Sequence, residues 1–320
     1  MKPHWKRSIL YGGAILLSLI LPLIYPRPFF LHVLIMFFLY SLLSESWNII
    51  GGYAGQISFG HALYFGLAAY VSTFLFVRFG ITPWLGLVAA ISVASAAGLL
   101  AGIPFFRLRG HYFAIGTIGL TEAIAVLVNE WELVGGAVGI YIPMLEPSIA
   151  HFQWKSRIPY YYVVFGFLVI SMVIVHRIER SRLGYYLRAI KMNEAAAVSL
   201  GINPLKVKEI AMAISCGIAA LGGVFYAQYT LYVAPDTVMA LQISVDMAVI
   251  TLVGGAGTLF GPIIGAAILI PLAEILRVYL GKVGTLHIAI FGMIVMFVAI
   301  FQPSGIIIYF QRLRRWKREV

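Results

Sequence analysis

Charged residues are scarce in this chain, and cysteine is almost absent. Only 11% of the 320 residues are charged and 61% are hydrophobic, whereas about a quarter of the residues in soluble domains are charged. This composition excludes an ordinary soluble globular protein. The single cysteine, Cys216, permits no intrachain disulfide, and no Cys/His pattern suggests zinc or iron–sulfur ligation. No phosphate-binding loop, HExxH motif or GxSxG motif occurs, so we expect no enzyme activity, no cofactor and no metal site in this chain.

The positive charge is concentrated in three regions. Residues 1–7, 176–209 and 310–320 contribute +3, +4 and +4, which accounts for the whole net charge of +11. Each region borders an apolar run, as cytoplasmic loops do under the positive-inside rule. Nucleic-acid binding would require a basic soluble domain with interleaved aromatic residues. The sequence offers none, so the partners that this charge predicts are membrane lipid and protein, and no nucleic acid.

Ten apolar runs are candidates to cross a bilayer, which takes about 20 residues in a helix. With both termini in the cytoplasm, ten crossings place 17 basic residues inside and 5 outside, in line with the positive-inside rule. We therefore predict an all-α, multi-pass membrane protein with one transmembrane domain, 1–320, and a basic cytoplasmic tail, 310–320. Eight spans are the alternative if two weaker runs are re-entrant. The runs are 9–25, 29–50, 61–79, 84–105, 111–128, 159–177, 209–230, 242–254, 262–280 and 286–309.

Two of these runs are unusual. The first follows a basic start, but Pro26 and Pro28 come after it in place of a small-residue cleavage site, so we expect an uncleaved span. The run 242–254 is too short to span alone and ends in glycines. A helix broken inside the membrane is expected there, and some re-entrant segments are part of the predicted fold.

Two glycine-rich stretches resemble each other. Residues 51–60 and 254–261 both read Gly-Gly, then Ala-Gly, then Phe-Gly. This pattern indicates either an internal repeat or close helix packing. Because unwound backbone at membrane depth is tolerated only where it is buried or lines a cavity, residues here are candidates for a polar path across the membrane, with packing as the alternative. They are Tyr53, Gln56, Ser58, His61, Gly254 and Gly255, and we expect His61 to be a buried histidine with hydrogen-bond partners.

Acidic residues inside apolar runs are further candidates, since an ionised side chain at mid-helix costs about 2.5–3.5 kcal/mol. Glu122 is predicted to line the path or to pair with an arginine of a neighbouring span. Asp246 and Glu274 are expected at a subunit interface or path, and Glu274 has the i, i+3 spacing of an ion pair with Arg277. Glu45 lies near the end of its run and is expected to reach toward the inner surface.

The long connection 129–158 is expected outside the membrane. Gly135 and Gly139 disfavour a regular helix, and Trp131 and Trp154 suit the headgroup level. The alternatives are a plain surface loop and a lip that contacts an extracytoplasmic partner.

The inner loop, about 178–208, carries a short predicted helix. Asn193 is a good N-cap, Glu194 favours a first turn, and Gly201 suits a left-handed C-terminal position. These signals predict a helix over 194–200. Two turns are not stable alone in water, so the rest of the protein must hold them. The alanine-rich face suits a groove on another protein.

This loop and four other stretches resemble the permeases of branched-chain amino-acid ABC importers, the LivM and LivH family. The similar segments follow one another in the same order over most of the chain. The element at 107–110 and the extra N-terminal span are more similar to LivM than to LivH. The similar stretches are 52–61 (GYAGQISFGH), 107–115 (RLRGHYFAI), 184–203, 219–227 (AALGGVFYA) and 252–266 (LVGGAGTLFGPIIGA).

The resemblance implies a permease subunit of an ATP-driven importer in the inner or plasma membrane of a prokaryote. Its implied partners are a second, LivH-like permease subunit, two ABC ATPase subunits that bind ATP and Mg, and an extracytoplasmic substrate-binding protein. It also implies that the inner loop couples to the ATPases. The implied coupling residues are Arg188, Ala189, Asn193, Glu194, Ala195, Ala196, Ala197, Gly201 and Ile202.

Two features depart from the family pattern. Gly201 follows Glu194 by seven residues, one more than in the general ABC-importer loop, and Glu45 replaces a small or apolar residue. A urea or short-amide permease of the same superfamily would carry the same motifs and stays an alternative. An ion-coupled secondary transporter, which would need coupling-ion residues, and a membrane enzyme, which would need a catalytic cluster, are the alternatives from other classes.

Overall fold

The computed structural model describes residues 18–108 and 110–281, together with scattered positions between 286 and 307. Eight helical segments in this part are long and apolar enough to cross a membrane. In chain order the helices are α1 (Pro28–Asn48), which continues as a π-helical turn (Ile49–Tyr53), α2 (His61–Phe79), α3 (Pro83–Phe105), α4 (His111–Glu130), α5 (Arg157–Arg180), α6 (Arg182–Met192), α7 (Glu194–Ser199), α8 (Pro204–Thr230), α9 (Pro235–Val238), α10 (Leu241–Gly254) and α11 (Gly261–Leu280).

These helices confirm the all-α multi-pass fold, and they show that eight of the predicted runs are helical. Residues 18–24 are also helical and cover part of the first predicted run, 9–25. The remainder of that run, most of the last run, 286–309, and the tail, 310–320, lie outside the described residues. The total of ten spans and the placement of the two termini therefore stay predictions.

Local sequence explains several helix ends. Proline occupies the first turn of α1, α3, α8 and α11, where its missing N–H would have had no partner within the helix. The backbone leaves α2 at Gly80, whose φ of 66° is left-handed. The α5 helix begins after Ser156, whose hydroxyl accepts the N–H of Ile158. The short run predicted at 242–254 is α10, and α9 precedes it across a break, so this span is interrupted.

The centre of the bundle is formed by α1, α2 and α8, which bury most of their residues inside the chain. Small residues permit this packing. A Cβ on Gly223 of α8 would lie 2.1 Å from the carbonyl oxygen of Phe65 in α2, and one on Gly98 of α3 would lie 2.5 Å from the Sγ of buried Cys216. Close backbone contact of this kind is how helices associate in lipid. By contrast, α3, α4 and α11 bury less than a third of their apolar stretches.

The connection between α4 and α5, which is predicted to lie outside the membrane and is called the outer connection below, contains no α-helix, as its glycines predict. Two 3-10 turns (Glu132–Val134 and Gly136–Val138) lead to strand β1 (Ile140–Tyr141), which pairs antiparallel with β2 (Tyr232–Val233) after α8. Two tyrosine rings, one on each strand, lie 4.6 Å apart. This two-stranded β-ribbon, β1 with β2, attaches the connection to the end of α8. Two-residue strands are too short to show the alternating pattern that would have predicted them.

Candidate functional site

The predicted inner loop folds into α6 and α7, together called the inner segment. They lie at the end of the molecule where α1 and α5 finish, called the inner end below. The first of these helices is fixed to α5. Its N-cap is Ser181, and a Cβ on Gly184 would lie 2.2 Å from the carbonyl oxygen of Ile178. The guanidinium of Arg188 donates to the carbonyl oxygens of Gly184 and Glu179. Arg188, a predicted coupling residue, therefore joins α6 to the end of α5.

The predicted short helix is α7, and its capping signals are confirmed. The Asn193 side chain accepts the backbone N–H of Ala196 at 3.0 Å, which satisfies one of the unpaired donors of the first turn. Gly201 has a φ of 81°, the left-handed conformation that glycine adopts readily after a helix. The helix extends over Glu194–Ser199, one residue shorter than predicted.

An ion pair attaches α7 to α8. The Nζ of Lys208 lies 3.0 Å from a carboxylate oxygen of Glu194, and the Lys208 side chain is only 2% exposed, whereas that of Glu194 is 42% exposed. Ala197 is buried on the same side of the helix. Lys208 was not predicted as a site residue. Its signal was a lysine near the start of a long helix that is mostly apolar.

The opposite face of α7 has no neighbour within the described part of the chain. Val198 is 53% exposed, and Leu200, which follows the helix, is 80% exposed. A short helix that is held on one side and open on the other is suited to contact a second protein. Among the predicted coupling residues, Asn193, Ala195, Ala196 and Gly201 are exposed, Arg188, Ala189, Glu194 and Ile202 are intermediate, and Ala197 is buried.

The two glycine-rich stretches contact each other at the inner end. We call residues 51–55, residues 255–258 and Asn48 the glycine junction. The buried Asn48 amide donates to the carbonyl oxygen of Thr258 at 3.0 Å and accepts the N–H of Gly257 at 2.8 Å. A Cβ on Gly52 would lie 2.5 Å from the backbone nitrogen of Gly257. Glycine at these positions therefore permits direct backbone contact between the end of α1 and the end of α10.

Gly254 and Gly255, predicted as path candidates, belong to the same packing. A Cβ on Gly254 would lie 1.8 Å from the carbonyl oxygen of Gly261, and Gly255 has a φ of 130°. Both positions serve the tight passage from α10 to α11. This geometry agrees with the packing interpretation of these glycines.

A lysine of α6 reaches the glycine junction. Lys191 Nζ donates to the carbonyl oxygen of Gly52 at 2.7 Å, and its stem crosses Gly55, whose Cβ would lie 2.9 Å from Lys191 Cγ. Lys191 is exposed as a whole residue, but desolvation of the part of its side chain that lies against the junction disfavours the ammonium and lowers the pKa of Lys191 below its ordinary value. Sequence reasoning missed this contact, since 139 residues separate the partners.

The other path candidates of the first stretch lie mostly inside the chain. His61 is fully buried; its Nε2 lies 2.9 Å from the hydroxyl of Ser215, and its Nδ1 lies 3.2 Å from that of Ser58. This confirms the expectation of a buried histidine with partners. Tyr53 is 1% exposed, and its hydroxyl has no hydrogen-bond partner within the described residues. Gln56 alone of the four has intermediate exposure.

The intramembrane acids occupy different environments. Asp246 is half-buried and accepts a hydrogen bond from Gln242 at 2.7 Å. Arg277 lies 3.2 Å from Glu274, as their spacing predicts, and His32 approaches the other carboxylate oxygen at 3.9 Å.

The sequence prediction for Glu45 is wrong. Its side chain does not reach the inner surface: it is fully buried, beside the side chain of Asn48. The reason is the length of the helix. The π-helical turn (Ile49–Tyr53) continues α1 past the predicted end at residue 50, so Glu45 lies more than two turns inside.

Glu122 lies on an open face of α4. Tyr112, Ile115, Gly119, Glu122 and Val126 repeat at intervals of three and four residues, and all five are exposed; we call them the α4 stripe. No atom lies within 4 Å of a Cβ built on Gly119. The expected pairing of Glu122 with an arginine of a neighbouring span is not found among the described residues. A carboxylate on such a face needs a partner or water in place of lipid.

Metal ligation has no support in the part of the chain that the structure describes. No group of three His, Cys, Asp or Glu side chains there is arranged to hold an ion. The polar groups instead hold helices together or face outward from them.

The eight long apolar helices define the chain as a multi-pass membrane protein. The family model described as the permease component of branched-chain amino acid transport systems matches residues 29–299. The chain belongs to this family, whose members are transport permeases, and it is a multi-pass protein of the inner membrane.

Curated relatives agree with this family. The LivM high-affinity branched-chain amino acid permease of Salmonella typhimurium is 28% identical over 85% of this chain and 68% of its own length. A probable LivM of Methanocaldococcus jannaschii is 24% identical over 86% of this chain and 92% of its own length. LivH of Escherichia coli K12 is 25% identical over 72% of this chain and 79% of its own length. No solved structure matches the chain.

Proposed function

We propose that this chain is the LivM-like permease subunit of an ATP-binding-cassette importer for branched-chain amino acids. The observation that carries the proposal is α7, a helix of six residues that the chain anchors on one side and leaves open on the other. Such a helix transmits force only if a partner binds its open face. In an importer of this class the partner is an ATPase subunit, which binds ATP and Mg.

The ATPase contact is proposed to lie on the exposed side of the inner segment. The surface is small and apolar, with Ala195, Ala196 and Val198 exposed on α7 and Met192 88% exposed just before it. Apolar side chains in this position gain free energy when a partner groove covers them. The ion pair between Glu194 and the buried Lys208 then passes the movement of α7 directly to α8, as a rigid-body step between two states.

The translocation path is proposed to lie along the α4 stripe, between this chain and a LivH-like permease subunit. The residues of the α4 stripe are exposed, and Gly119 leaves room for a helix of a second subunit to pack closely against α4. Glu122 in its middle would meet water or a donor of the second subunit, which removes the cost of facing lipid. A zwitterionic amino acid with an apolar side chain needs few charges along such a path.

The outer surface is proposed to receive the substrate-binding protein. Tyr141 is 68% exposed on the ribbon and Ile149 is 72% exposed on the same connection. The connection is held in place, since the indole of Trp84 donates to the carbonyl oxygen of Ile149 at 2.8 Å. Selectivity is expected to reside largely in the binding protein, so a urea or short-amide substrate is the alternative that a retention assay with labelled solutes would reveal.

Co-purification tests the proposal. Expressed with its neighbours, the chain should bring down ATPase subunits, and Val198→Asp should lose them while still inserting in the membrane. The matched control is Val138→Asp, the same change at a 70% exposed valine of the outer connection, which should keep the ATPases. A chain that purifies alone and transports solute with an ion gradient would contradict the proposal.

A further inference from the structure

The inner segment contacts the glycine junction through the charged side chain of Lys191. The ammonium of Lys191 donates to the carbonyl oxygen of Gly52, in the π-helical turn that ends α1. It also lies next to the second stretch, since a Cβ on Gly257 would be 3.6 Å from the same Nζ. One cation therefore lies against the ends of both α1 and α10.

Glycines make room for this lysine. A Cβ on Gly55 would lie 2.9 Å from Lys191 Cγ, and one on Gly257 would lie 2.9 Å from the carbonyl oxygen of Gly52. Both glycines have left-handed backbones, with φ values of 71° and 78°, a conformation that side chains with a Cβ rarely adopt. The lysine stem therefore lies in a groove of exposed backbone, and its charge ends on a main-chain oxygen.

The position of Lys191 in the chain relates this contact to α7. Met192 and the N-cap Asn193 are the only residues between Lys191 and the first residue of α7. The two other attachments of the inner segment lead elsewhere: Arg188 binds the end of α5, and Glu194 binds Lys208 of α8. Removal of the Lys191 ammonium would leave both of these in place and remove the ionic contact with the glycine junction.

We propose that Lys191 is a positioning residue that makes α7 and the inner ends of α1 and α10 move as one body when the ATPases close. The inference rests on the proposed function and deepens it. A displacement of α7 toward or away from the membrane is passed through Lys191 to the Gly52 carbonyl, and Asn48 passes it on to residues 257 and 258. The contact between Lys191 and Gly52 persists through the cycle of ATP binding and hydrolysis. The inner ends of α1 and α10 therefore open and close together with the inner segment.

The first test separates coupling from folding. In the complete complex reconstituted with its binding protein, Lys191→Met keeps the length of the stem and removes the charge. We expect ATP hydrolysis within about twofold of the unmodified complex and uptake of labelled leucine per ATP lower by roughly tenfold, within the usual range of coupling between sites. Lys191→Arg, which retains a cation, should recover most of the loss. Lys206→Met, at an exposed lysine of the same end that lies outside the junction, is the control.

The second test does not depend on how well the first variant folds. The Cβ of a residue at position 55 would lie 3.5 Å from the Cβ of residue 191, within the range of a disulfide. In a Gly55→Cys/Lys191→Cys chain, diamide accepts the two thiol hydrogens and the disulfide takes the place of the ionic contact. We expect low uptake per ATP in the reduced protein and recovery on oxidation. Any strain at position 55 is common to both states, so it cancels in the comparison.

Two results would overturn the inference. One is a Lys191→Met complex in which hydrolysis and uptake fall together, or neither falls. The other is an oxidised double variant no better coupled than the reduced one. Failure of the proposed function would look different, because the unmodified complex would then show no ATP-dependent uptake at all.

Discussion

Glu45 illustrates how a single carboxyl group can be compatible with a membrane core. An ionised carboxylate without partners is very costly in a medium of low polarity. Glu45 is 0% exposed, and no cation among the described residues pairs with its carboxyl group. We therefore expect the neutral, protonated acid at this position.

Substitution tests the charge state of Glu45. Glu45→Gln, a neutral side chain of the same shape, should change stability by less than about 1 kcal/mol and leave uptake unchanged. Glu45→Lys should prevent accumulation of folded protein, because it buries a cation with no partner. Stability is measured by thermal melting of each detergent-purified variant, and transport is measured by uptake in vesicles. Normal melting with lost uptake in Glu45→Gln would show that an ionisable group is required.

Residue-scale contacts were the hardest part of the site to predict. Lys191 and Gly52 are 139 positions apart, and Asn48 and Gly257 are 209 apart. Neither pair has a local signature, because each contact exists only after the helices have packed. His61 was easier, since a lone histidine in an apolar run is expected to be buried with hydrogen-bond partners, as it is.

At the scale of elements, α7 depends on its attachment to α8. A helix of two turns gains too little from its own hydrogen bonds to persist in water. The cap at Asn193 and the ion pair at Glu194 supply what is missing. Capping signals are local, so the sequence predicted this helix almost to the residue. The ion pair joins two residues that are 14 positions apart, so it could not be predicted from local sequence and was found only in the structure.

The two partners of this ion pair should respond differently to removal. Glu194→Ala leaves the Lys208 ammonium buried and unpaired, and we expect it to lower the opening free energy of α7 by about 2 kcal/mol. Lys208→Met leaves Glu194 42% exposed to water, so its cost should stay below about 1 kcal/mol. Hydrogen exchange of the α7 amides measures both values. Equal losses of protection would show that burial of Lys208 does not control the helix.

Spanning helices were predictable because the bilayer sets their length. Runs of about 20 apolar residues are read directly from the sequence, and α2 matches its prediction at both ends. Other ends were misplaced. The α1 helix was predicted to stop at residue 50, where Gly51 and Gly52 follow, but the chain continues through a π-helical turn to residue 53. Packing against residues 255–258 holds that turn in place. The α8 helix begins at residue 204, five residues before its predicted start at 209.

For the whole molecule, the α4 stripe indicates that one chain is an incomplete unit. Helix α4 buries little of its apolar surface inside the chain, and Glu122 lies on the uncovered side. A second permease subunit, packed along the stripe, would cover the helix and enclose a path between the two chains. A second subunit in this place would also explain why Glu122 has no ion-pair partner among the described residues.

A bulky residue at Gly119 tests this assembly. Gly119→Phe should leave the isolated chain folded, since no atom lies within 4 Å of that position, yet it should reduce co-purification of the second permease by roughly tenfold, a loss of about 1.4 kcal/mol. Gly166→Phe is the control, because that glycine of α5 is equally open within this chain. Equal pairing in the two variants would place the second subunit on another face.

Uptake by the reconstituted complex tests the central claim most directly. Vesicles would contain this chain, a LivH-like permease and the ATPase subunits, with binding protein and labelled leucine added and all ion gradients collapsed. We predict uptake that requires ATP and Mg, stops without the ATPase subunits and falls sharply in Val198→Asp. Uptake by this chain without ATPase subunits, driven by an ion gradient, would contradict the account.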